Sequence, residues 1–294
     1  MIMSVEEYLE KLREALRGCD PAMIQDALAD AEEHLRNSLE GVVSGRTATT
    51  EADALRPIIE KYGTPEEVAS AYREMEIRFS PSVAAPRHKL QSSRSQFFAI
   101  LTDARAWGSF LYLLLGLLTG CFYGLWTLFG TSLSVVSLPL IIGLPVLGVF
   151  LLSVRAIALM EGRIVEALLG VRMPRRPLFL GEGSSWKARF KSLVADTQTW
   201  KSLGYLFLQF PLGSIYSFVT ALLFGISLKC ALYPVWNLVF HRPLVNLFRP
   251  YFPPGWLIPL ISLAGCLFLP LTLHVAKRVG SFHGRYAKTL LVRR

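Results

Sequence analysis

Residues 106–154 contain no aspartate, glutamate, lysine or arginine. At about 20 residues per membrane crossing, a charge-free run of 49 mostly apolar residues accommodates two membrane helices and a turn. Two further charge-free windows, at 202–228 and 250–276, are each long enough for one crossing. The sequence therefore predicts four membrane spans, at about 107–129, 135–153, 203–228 and 256–275.

The segment that opens the first span occurs a second time in the chain. Residues 103–120 and 196–213 share aspartate, tryptophan, tyrosine and glycine positions at a constant offset of 93 residues. Each copy continues through a second span into a charged extension, at 155–170 and 274–291. Two spans per copy favour parallel repeats related by an axis along the membrane normal. The predicted fold class is all-α, with a small cytosolic helical domain plus a duplicated (2+2) four-helix transmembrane bundle.

Charge is distributed unevenly along the chain. Residues 1–80 hold 17 acidic and 9 basic residues, whereas the remainder holds 5 acidic and 22 basic ones. The bases lie beside the apolar spans, where such residues contact lipid head groups more often than nucleic acid. We therefore expect the lipid bilayer as a partner and no direct nucleic-acid binding. The sequence leaves a homo-oligomer open.

Lysine and arginine counts predict the orientation of the spans. The segments 87–105, 155–201 and 277–294 carry four, nine and six of these residues, and the turn between the first two spans carries none. Cytosolic loops of membrane proteins are enriched in lysine and arginine. We expect a multi-pass protein of the cell membrane with both termini in the cytosol.

Helix-start signals recur within the acidic N-terminal segment. Ser4 and Glu7 form a capping box ahead of a first helix, and Asp20-Pro21 opens a second helix, which Gly41 is expected to end. Thr64-Pro65-Glu66-Glu67 repeats the cap, proline and acidic first turn before a last helix. These signals predict four short helices around one small core.

Composition divides the chain into two domains. The helical domain occupies 1–80, and a linker rich in proline, serine and basic residues follows at 81–97. The duplicated membrane domain occupies 98–294. This division separates an acidic domain from a strongly basic, apolar one.

Three motifs in the first domain resemble a known family. They are Tyr8-Leu9-x-x-Leu12, Ala31-Glu32-Glu33-His34 and Tyr62-Gly63-Thr64-Pro65-Glu66-Glu67-Val68-Ala69. Over residues 3–77 the chain is similar to the HAAS domain, the helical signalling module associated with helix-turn-helix regulators. The resemblance implies a cytosolic module that communicates with a PadR-type transcription regulator. It makes the following residues candidates for signalling and partner contact: Tyr62, Gly63, Thr64, Pro65, Glu66, Glu67 and His34.

His34 has two interpretations. A histidine beside acids resembles the phospho-acceptor of a sensor kinase, but no downstream segment offers the asparagine and glycine boxes of an ATP-binding domain. The simpler interpretation is a helix-surface histidine near the C-terminal end of its helix, where a partial positive charge is favourable. We favour the simpler one.

The membrane part also resembles a known family. The pattern Asp-x-x-x-Trp-x-Ser/Leu-x-x-Tyr-Leu occurs twice, and it is joined by a proline-rich stretch at 138–145 and the charged extension at 155–170. Over about 98–292 the chain is similar to the sensor domain found in front of bacterial histidine kinases. Such kinases continue into dimerisation and ATP-binding domains, and none precedes Arg294. We therefore expect output through a separate protein or through the N-terminal domain.

These features favour a non-catalytic membrane sensor that transmits a membrane or amphiphile signal to a cytosolic transcription regulator through the helical domain. The outer connection of the second copy, at 233–256, is aromatic, basic and free of acids. Trp236, Arg242 and Arg249 are its candidate ligand contacts. The same segment suits an aromatic anchor that only fixes depth in the bilayer.

Other functions remain open. A small-solute channel or transport-complex subunit is the alternative, although the predicted spans lack the midplane ionisable residue that a coupled carrier needs. A lipid-acting enzyme would rest on Asp103 and Asp196, which more simply act as helix N-caps. A passive tether also fits. No metal site is expected, because the four cysteines lack metal-ligand spacing: Cys19, Cys121, Cys230 and Cys266. We also expect no catalytic residue and no cofactor.

Overall fold

The computed structural model describes residues 4–44, 51–79, 97–139, 142–175, 186–241, 243–246 and 250–293. Within these ranges the regular structure is helical except for one short ladder. In that ladder β1 (Val245–Asn246) pairs antiparallel with β2 (Pro250–Tyr251). The predicted all-α class is confirmed.

The first four helices pack around a core of their own. They are α1 (Val5–Ala15), α2 (Pro21–Ser44), α3 (Glu51–Tyr62) and α4 (Pro65–Phe79). The core consists of apolar side chains that recur at helical spacing, and its most buried members include Tyr8, Leu12, Leu16, Leu35 and Leu55. This arrangement agrees with the amphipathic pattern of the sequence.

Two predicted caps are present and one predicted helix end is wrong. Ser4 Oγ accepts a hydrogen bond from the Glu7 N–H at 3.2 Å, and Asp20 Oδ1 accepts one from the Ala22 N–H at 2.9 Å. Gly41, however, does not end α2, which continues to Ser44. A glycine stops a helix when it adopts a left-handed conformation, and Gly41 does not adopt one.

The membrane domain is built from four long helices. They are α5 (Ala104–Ser137), α6 (Gly143–Leu169), α8 (Thr197–Ala231) and α10 (Ile258–Leu291). Each is long and apolar enough to cross a membrane, as predicted for four spans. Shorter helices connect them: α7 (Trp186–Ala195) and α9 (Tyr233–Phe240).

The turn between the first two membrane helices lies later than predicted. The sequence suggested a connection at 130–135, but α5 runs through it to Ser137. Gly130 serves close packing instead of a turn, because a Cβ added there would lie 2.0 Å from Cε2 of the Phe150 ring on α6. A glycine in a membrane helix often marks such an approach.

Helices α5 and α8 pack antiparallel, which corrects the expectation of parallel repeats. Near the start of α5, the Trp107 ring lies 6.3 Å from the ring of Phe224, close to the end of α8. Further along α5, the Leu114 carbonyl accepts a hydrogen bond from Ser217 Oγ at 3.0 Å. Each step forward on α5 therefore meets an earlier residue of α8, and the axis that relates the two copies runs across these helices.

Small residues permit this crossing. A Cβ added to Gly213 would lie 2.0 Å from the carbonyl oxygen of Gly116, and a Cβ added to Gly120 would lie 2.6 Å from that of Gln209. These separations are far below van der Waals contact, so the two backbones touch directly. Gly120 and Gly213, the repeated glycines, thus each lie where one copy of the repeated helix contacts the backbone of the other copy.

Two ion pairs show the same pseudo-twofold relation. Arg155 of α6 binds Asp196 at the start of α8, and Lys277 of α10 binds Asp103 at the start of α5 with an Nζ–Oδ2 distance of 2.6 Å. The acids are 93 residues apart and the bases 122 residues apart, so each pair is the counterpart of the other. The central bundle is defined here as the region in which the first halves of α5 and α8 meet the charged second halves of α6 and α10: 104–120, 155–169, 197–213 and 277–291.

The remaining halves of the long helices form two apolar hairpins. The described residues of the first hairpin, 121–139 and 142–154, include the end of α5 and the start of α6, and those of the second hairpin, 214–241, 243–246 and 250–276, include the end of α8 and the start of α10. Because α5 and α8 are antiparallel, the hairpins leave the central bundle in opposite senses along the α5–α8 contact.

Candidate functional site

The predicted signalling turn between α3 and α4 is well ordered by hydrogen bonds. Gly63 adopts φ of 109°, a left-handed conformation suited to glycine. The Thr64 N–H donates to Glu67 Oε2 at 2.8 Å, and the Glu67 N–H donates to Thr64 Oγ1 at 3.3 Å, which completes a reciprocal capping box. The Tyr8 hydroxyl donates to the Gly63 carbonyl at 2.9 Å, so α1 holds the turn in place.

His34 lies against this turn. Its ring stacks on Tyr62 with centroids 4.5 Å apart and an interplanar angle of 20°. His34 is exposed, as expected for a helix-surface histidine. Burial raises the pKa of the Tyr8 phenol well above its ordinary value, which keeps it a neutral hydrogen-bond donor. The structure thus brings the candidate signalling residues of α2 and of the α3–α4 turn together on one surface.

The predicted outer ligand contacts are only partly described. Trp236 lies on α9 with 47% of its surface exposed, and its ring centroid is 4.8 Å from that of Phe240. Together with Lys229 it lines a cavity of about 660 Å³. Arg242 and Arg249 lie outside the described residues. Their assignment as ligand contacts stays a prediction.

The central bundle holds a buried polar network that the sequence did not reveal. Glu161 of α6 is completely buried and accepts hydrogen bonds from three tyrosine hydroxyls: Tyr112 at 2.6 Å, Tyr123 at 2.8 Å and Tyr205 at 3.1 Å. His283 of α10 is also completely buried, with Nε2 at 2.8 Å from the Tyr112 hydroxyl and 3.1 Å from that of Tyr205. This cluster joins all four long helices.

Tyr112 and Tyr205 lie between the carboxyl group of Glu161 and the imidazole of His283. Both hydroxyls are within hydrogen-bond distance of Glu161 Oε1 and of His283 Nε2. The Tyr205 oxygen is 3.1 Å from each of these two atoms. The two tyrosines thus bridge a carboxyl group and an imidazole across the pseudo-twofold axis.

Several polar atoms of the central bundle are not satisfied. Among the described residues, His283 Nδ1, Gln209 Oε1 and the Tyr286 hydroxyl are buried without a hydrogen-bond partner. A buried group without a partner costs about 1–3 kcal/mol. The network is therefore only partly satisfied by protein groups in this packing.

A second repeat offset would have pointed to this network. Glu161 and His283 are 122 residues apart, the same offset as Arg155 and Lys277, and they are therefore counterparts. The offset of 93 alone predicts that Glu161 lies in a cytosolic extension beyond the second span. The structure corrects this, because each charged extension continues its membrane helix and contributes to the buried core.

Asp103 and Asp196 have structural partners instead of each other. Each caps its helix: Asp103 Oδ1 accepts from the Arg105 N–H at 2.9 Å and Asp196 Oδ1 accepts from the Gln198 N–H at 3.1 Å. The hydrogen bond from Lys277 is the main cause that lowers the pKa of Asp103, which keeps it ionised. The N-cap interpretation is confirmed for both.

The N-terminal helical domain docks directly on the central bundle. Asp20 binds Lys288 of α10 at 2.5 Å, and both side chains are about a quarter exposed, at 24%. Gln25 accepts from the Arg293 N–H at 3.2 Å, and Asp26 accepts from the Arg175 N–H at 2.6 Å. Ala22 joins the hydrophobic core of the membrane domain.

This contact is named the docking face, and it consists of Asp20, Ala22, Gln25 and Asp26 at the start of α2. It covers the end of α10, Arg293 just beyond it and the segment that follows α6. The partner candidates His34 and Tyr62 lie further along α2 and on the α3–α4 turn. One helix therefore carries the bundle contact at its start and a candidate partner surface beyond it.

Comparison with known protein families gives two matches. Residues 112–291, more than half of the chain, match the family described as “Putative sensor”, and residues 7–71 match HAAS. Both resemblances inferred from the motifs are confirmed. Neither the curated proteins nor the solved structures contain a significant match.

Proposed function

Because the chain belongs to the Sensor family and carries a HAAS domain at its N-terminus, we propose that it is a membrane sensor. A change in the packing of its central bundle alters the binding of a cytosolic PadR-type transcription regulator. Sensor and HAAS families are signalling families without catalytic activity. HAAS domains pair with regulators, which supports this output. The helical domain would bind or release the regulator as the packing changes.

The docking face carries this proposal. Asp20, Ala22 and Gln25 contact the ends of α10 and the hydrophobic core of the membrane domain. A shift of α10 relative to α2 therefore breaks or remakes a half-buried ion pair and an apolar contact. Packed interfaces of this kind have few stable arrangements, so a small shift is passed on as a discrete change.

A sensor also needs two states for which its stimulus has different affinities. The partly satisfied polar network supports a second state, because a repacking of the helices offers partners to atoms such as His283 Nδ1 and Gln209 Oε1. His283 lies on α10, which the docking face contacts through Lys288, and Glu161 lies on α6, which leads into the segment that Asp26 contacts. A repacking of the network is therefore transmitted along both helices to α2.

The same proposal includes a placement in the membrane. The lysine- and arginine-rich segments 87–105, 155–201 and 277–294 all belong to the central bundle or adjoin it. The positive-inside rule then favours the central bundle at the cytosolic face, with both apolar hairpins entering one bilayer from that face. Because antiparallel helices lead away from their contact in opposite directions, this placement requires α5 and α8 to cross at a wide angle, with both hairpin-bearing ends inclined toward the bilayer.

Cysteine labelling tests this placement. Ser281 and Lys201 are exposed and lie beside the starts of α5 and α8, respectively. In a protein with its native cysteines changed to serine, Ser281→Cys and Lys201→Cys are expected to react with an impermeant maleimide only from the cytosolic side. If one of them reacts only from outside, the repeats are inverted across the bilayer and the placement is wrong.

The output is tested by co-purification. We expect a helix-turn-helix regulator to co-purify with the full-length protein in detergent, and not with a protein that lacks residues 1–80. A matched control is the full-length protein with His34→Ala and Tyr62→Ala, which removes the stacked pair but keeps the docking face. Recovery of the same proteins with and without residues 1–80, or of no regulator at all, contradicts this output.

A further inference from the structure

A basic groove lies where α10 passes the start of α5. It encloses about 830 Å³, and its lining includes Asp103, Lys277, Arg278, Phe282 and Arg285. One wall is α10, and the other is the segment of residues 99–103 that leads into α5. The groove is therefore shared by the fourth membrane helix and the entry to the first one.

The groove has an excess of positive charge. Lys277 is neutralised by Asp103, with Nζ and Oδ2 2.6 Å apart. Arg278 and Arg285 are both exposed, and neither has an ion-pair partner among the described residues. Two guanidinium groups thus line the groove without a counter-charge from the described chain, and they are free for an anionic ligand.

The position of these arginines on α10 indicates the kind of ligand. Leu267, Leu271 and Val275 form an exposed apolar stripe on α10, and at helical spacing the stripe continues into Arg278 and then Phe282. Along a membrane helix, a change from apolar to basic residues on the lipid-facing side marks the level of the phosphate groups. The groove opens at that level.

We propose that this groove binds the phosphate-bearing head group of an anionic lipid. The guanidinium groups of Arg278 and Arg285 contact phosphate oxygens, for which arginine offers several directed N–H donors. Phe282, with 68% of its surface exposed, lies between them in sequence and gives the groove an apolar surface beside the head group. Basic pockets beside membrane helices recognise acidic lipids in this way.

A lipid in this groove would influence the signal path of the proposed function. Its phosphate competes with Asp103 for Lys277, and its head group contacts both α10 and the entry to α5. His283 of the buried network lies on the opposite side of α10, directly after Phe282. Lipid binding is therefore expected to adjust the position of the helix that carries both His283 and Lys288. This step rests on the proposed function only in that α10 crosses the bilayer.

Lipid retention by the purified full-length protein tests the site. Protein in a neutral detergent is incubated with an equimolar mixture of phosphatidylglycerol and phosphatidylcholine, and bound lipid is counted by native mass spectrometry. We expect preferential retention of phosphatidylglycerol, reduced about fivefold for each arginine removed in Arg278→Gln and Arg285→Gln. The variant Arg278→Lys with Arg285→Lys is expected to retain part of the preference, because it keeps the charge but loses the guanidinium geometry.

A matched control removes two exposed bases elsewhere. Arg163→Gln with Lys201→Gln lowers the net charge equally, and Arg163 is the repeat counterpart of Arg285. The control is expected to bind phosphatidylglycerol like the unchanged protein. The proposal is overturned if the control loses as much bound phosphatidylglycerol as the arginine variants, or if the unchanged protein shows no lipid preference. It is also overturned if free glycerol phosphate displaces bound phosphatidylglycerol as effectively as the lipid itself does. A failure to recover a regulator leaves this result unaffected, since retention is read on the protein alone.

Discussion

Replacing Gly213 by valine is expected to lower the apparent melting temperature of the full-length protein in detergent by roughly 5–10 °C, because over-packing costs about 1–3 kcal/mol and a clash with backbone lies at the upper end of that range. A Cβ at this position would lie 2.0 Å from the Gly116 carbonyl oxygen. The clash is with backbone, so no side chain can turn away to relieve it. The measurement is thermal unfolding followed by tryptophan fluorescence, with size-exclusion chromatography to detect aggregation.

Gly225→Val is the matched control for this change. Gly225 lies on the same helix, α8, and a Cβ there has no atom within 4 Å. We expect its apparent melting temperature to stay within about 2 °C of that of the unchanged protein, since surface substitutions usually cost less than 0.5 kcal/mol. Equal effects of the two substitutions would show that α5 and α8 do not cross at Gly116 and Gly213.

Replacing Glu161 by alanine is expected to destabilise the protein by about 3–5 kcal/mol, the cost of removing one partner from a buried polar network. Three tyrosine hydroxyls would lose their acceptor. The control is Glu166→Ala on the same helix, because Glu166 makes only an ion pair with the exposed Arg175, worth about 0–1 kcal/mol. Thermal unfolding of the two variants under identical conditions measures the difference.

The pseudo-twofold axis allows a sharper test of the same network. Tyr123, which binds Glu161, and Tyr216, whose ring centroid lies 5.6 Å from that of His283, are 93 residues apart and are counterparts. A carboxyl group at position 283 would therefore also face three tyrosines. The double change Glu161→His with His283→Glu is expected to be more stable than either single change. If the double change is the least stable of the three, the two positions are not equivalent.

Much of the small helical domain could be predicted from the sequence. The caps at Ser4, Asp20 and Thr64 depend on residues within three positions of each other, so local chemistry determines them. The predicted end of α2 at Gly41 was wrong, because a glycine permits a left-handed conformation without imposing it. Gly41 stays helical, whereas Gly63 adopts the left-handed conformation.

The buried network could not be predicted, because it depends on the direction in which the copies pack. The offset of 93 residues identified the repeat but carried no information on its axis. Once Gly116 and Gly213 let α5 and α8 cross antiparallel, the charged half of each copy comes to lie against the start of the other. Glu161, which in sequence resembles a residue beyond a membrane span, becomes a core residue by this packing.

The central claim is that the helical domain follows the packing of the central bundle through the docking face. Hydrogen exchange of the full-length protein in one detergent tests it most directly, comparing the unchanged protein, Glu161→Gln, Lys288→Asp and the variant with both changes. Exchange at residues 21–28, the start of α2, reports the docking face, and exchange in α5 and α8 confirms that the bundle has responded. Lys201→Gln, an exposed change on α8, is the control.

We predict that Glu161→Gln accelerates exchange at residues 21–28, although none of them contacts Glu161. Lys288→Asp is expected to accelerate exchange at the same residues by removing the ion pair to Asp20. In the variant with both changes, Glu161→Gln is then expected to add little, because the contact that links the bundle to α2 is already lost. If Glu161→Gln alters exchange only within the long helices and leaves residues 21–28 as in the unchanged protein, the helical domain does not follow the bundle and the account is contradicted.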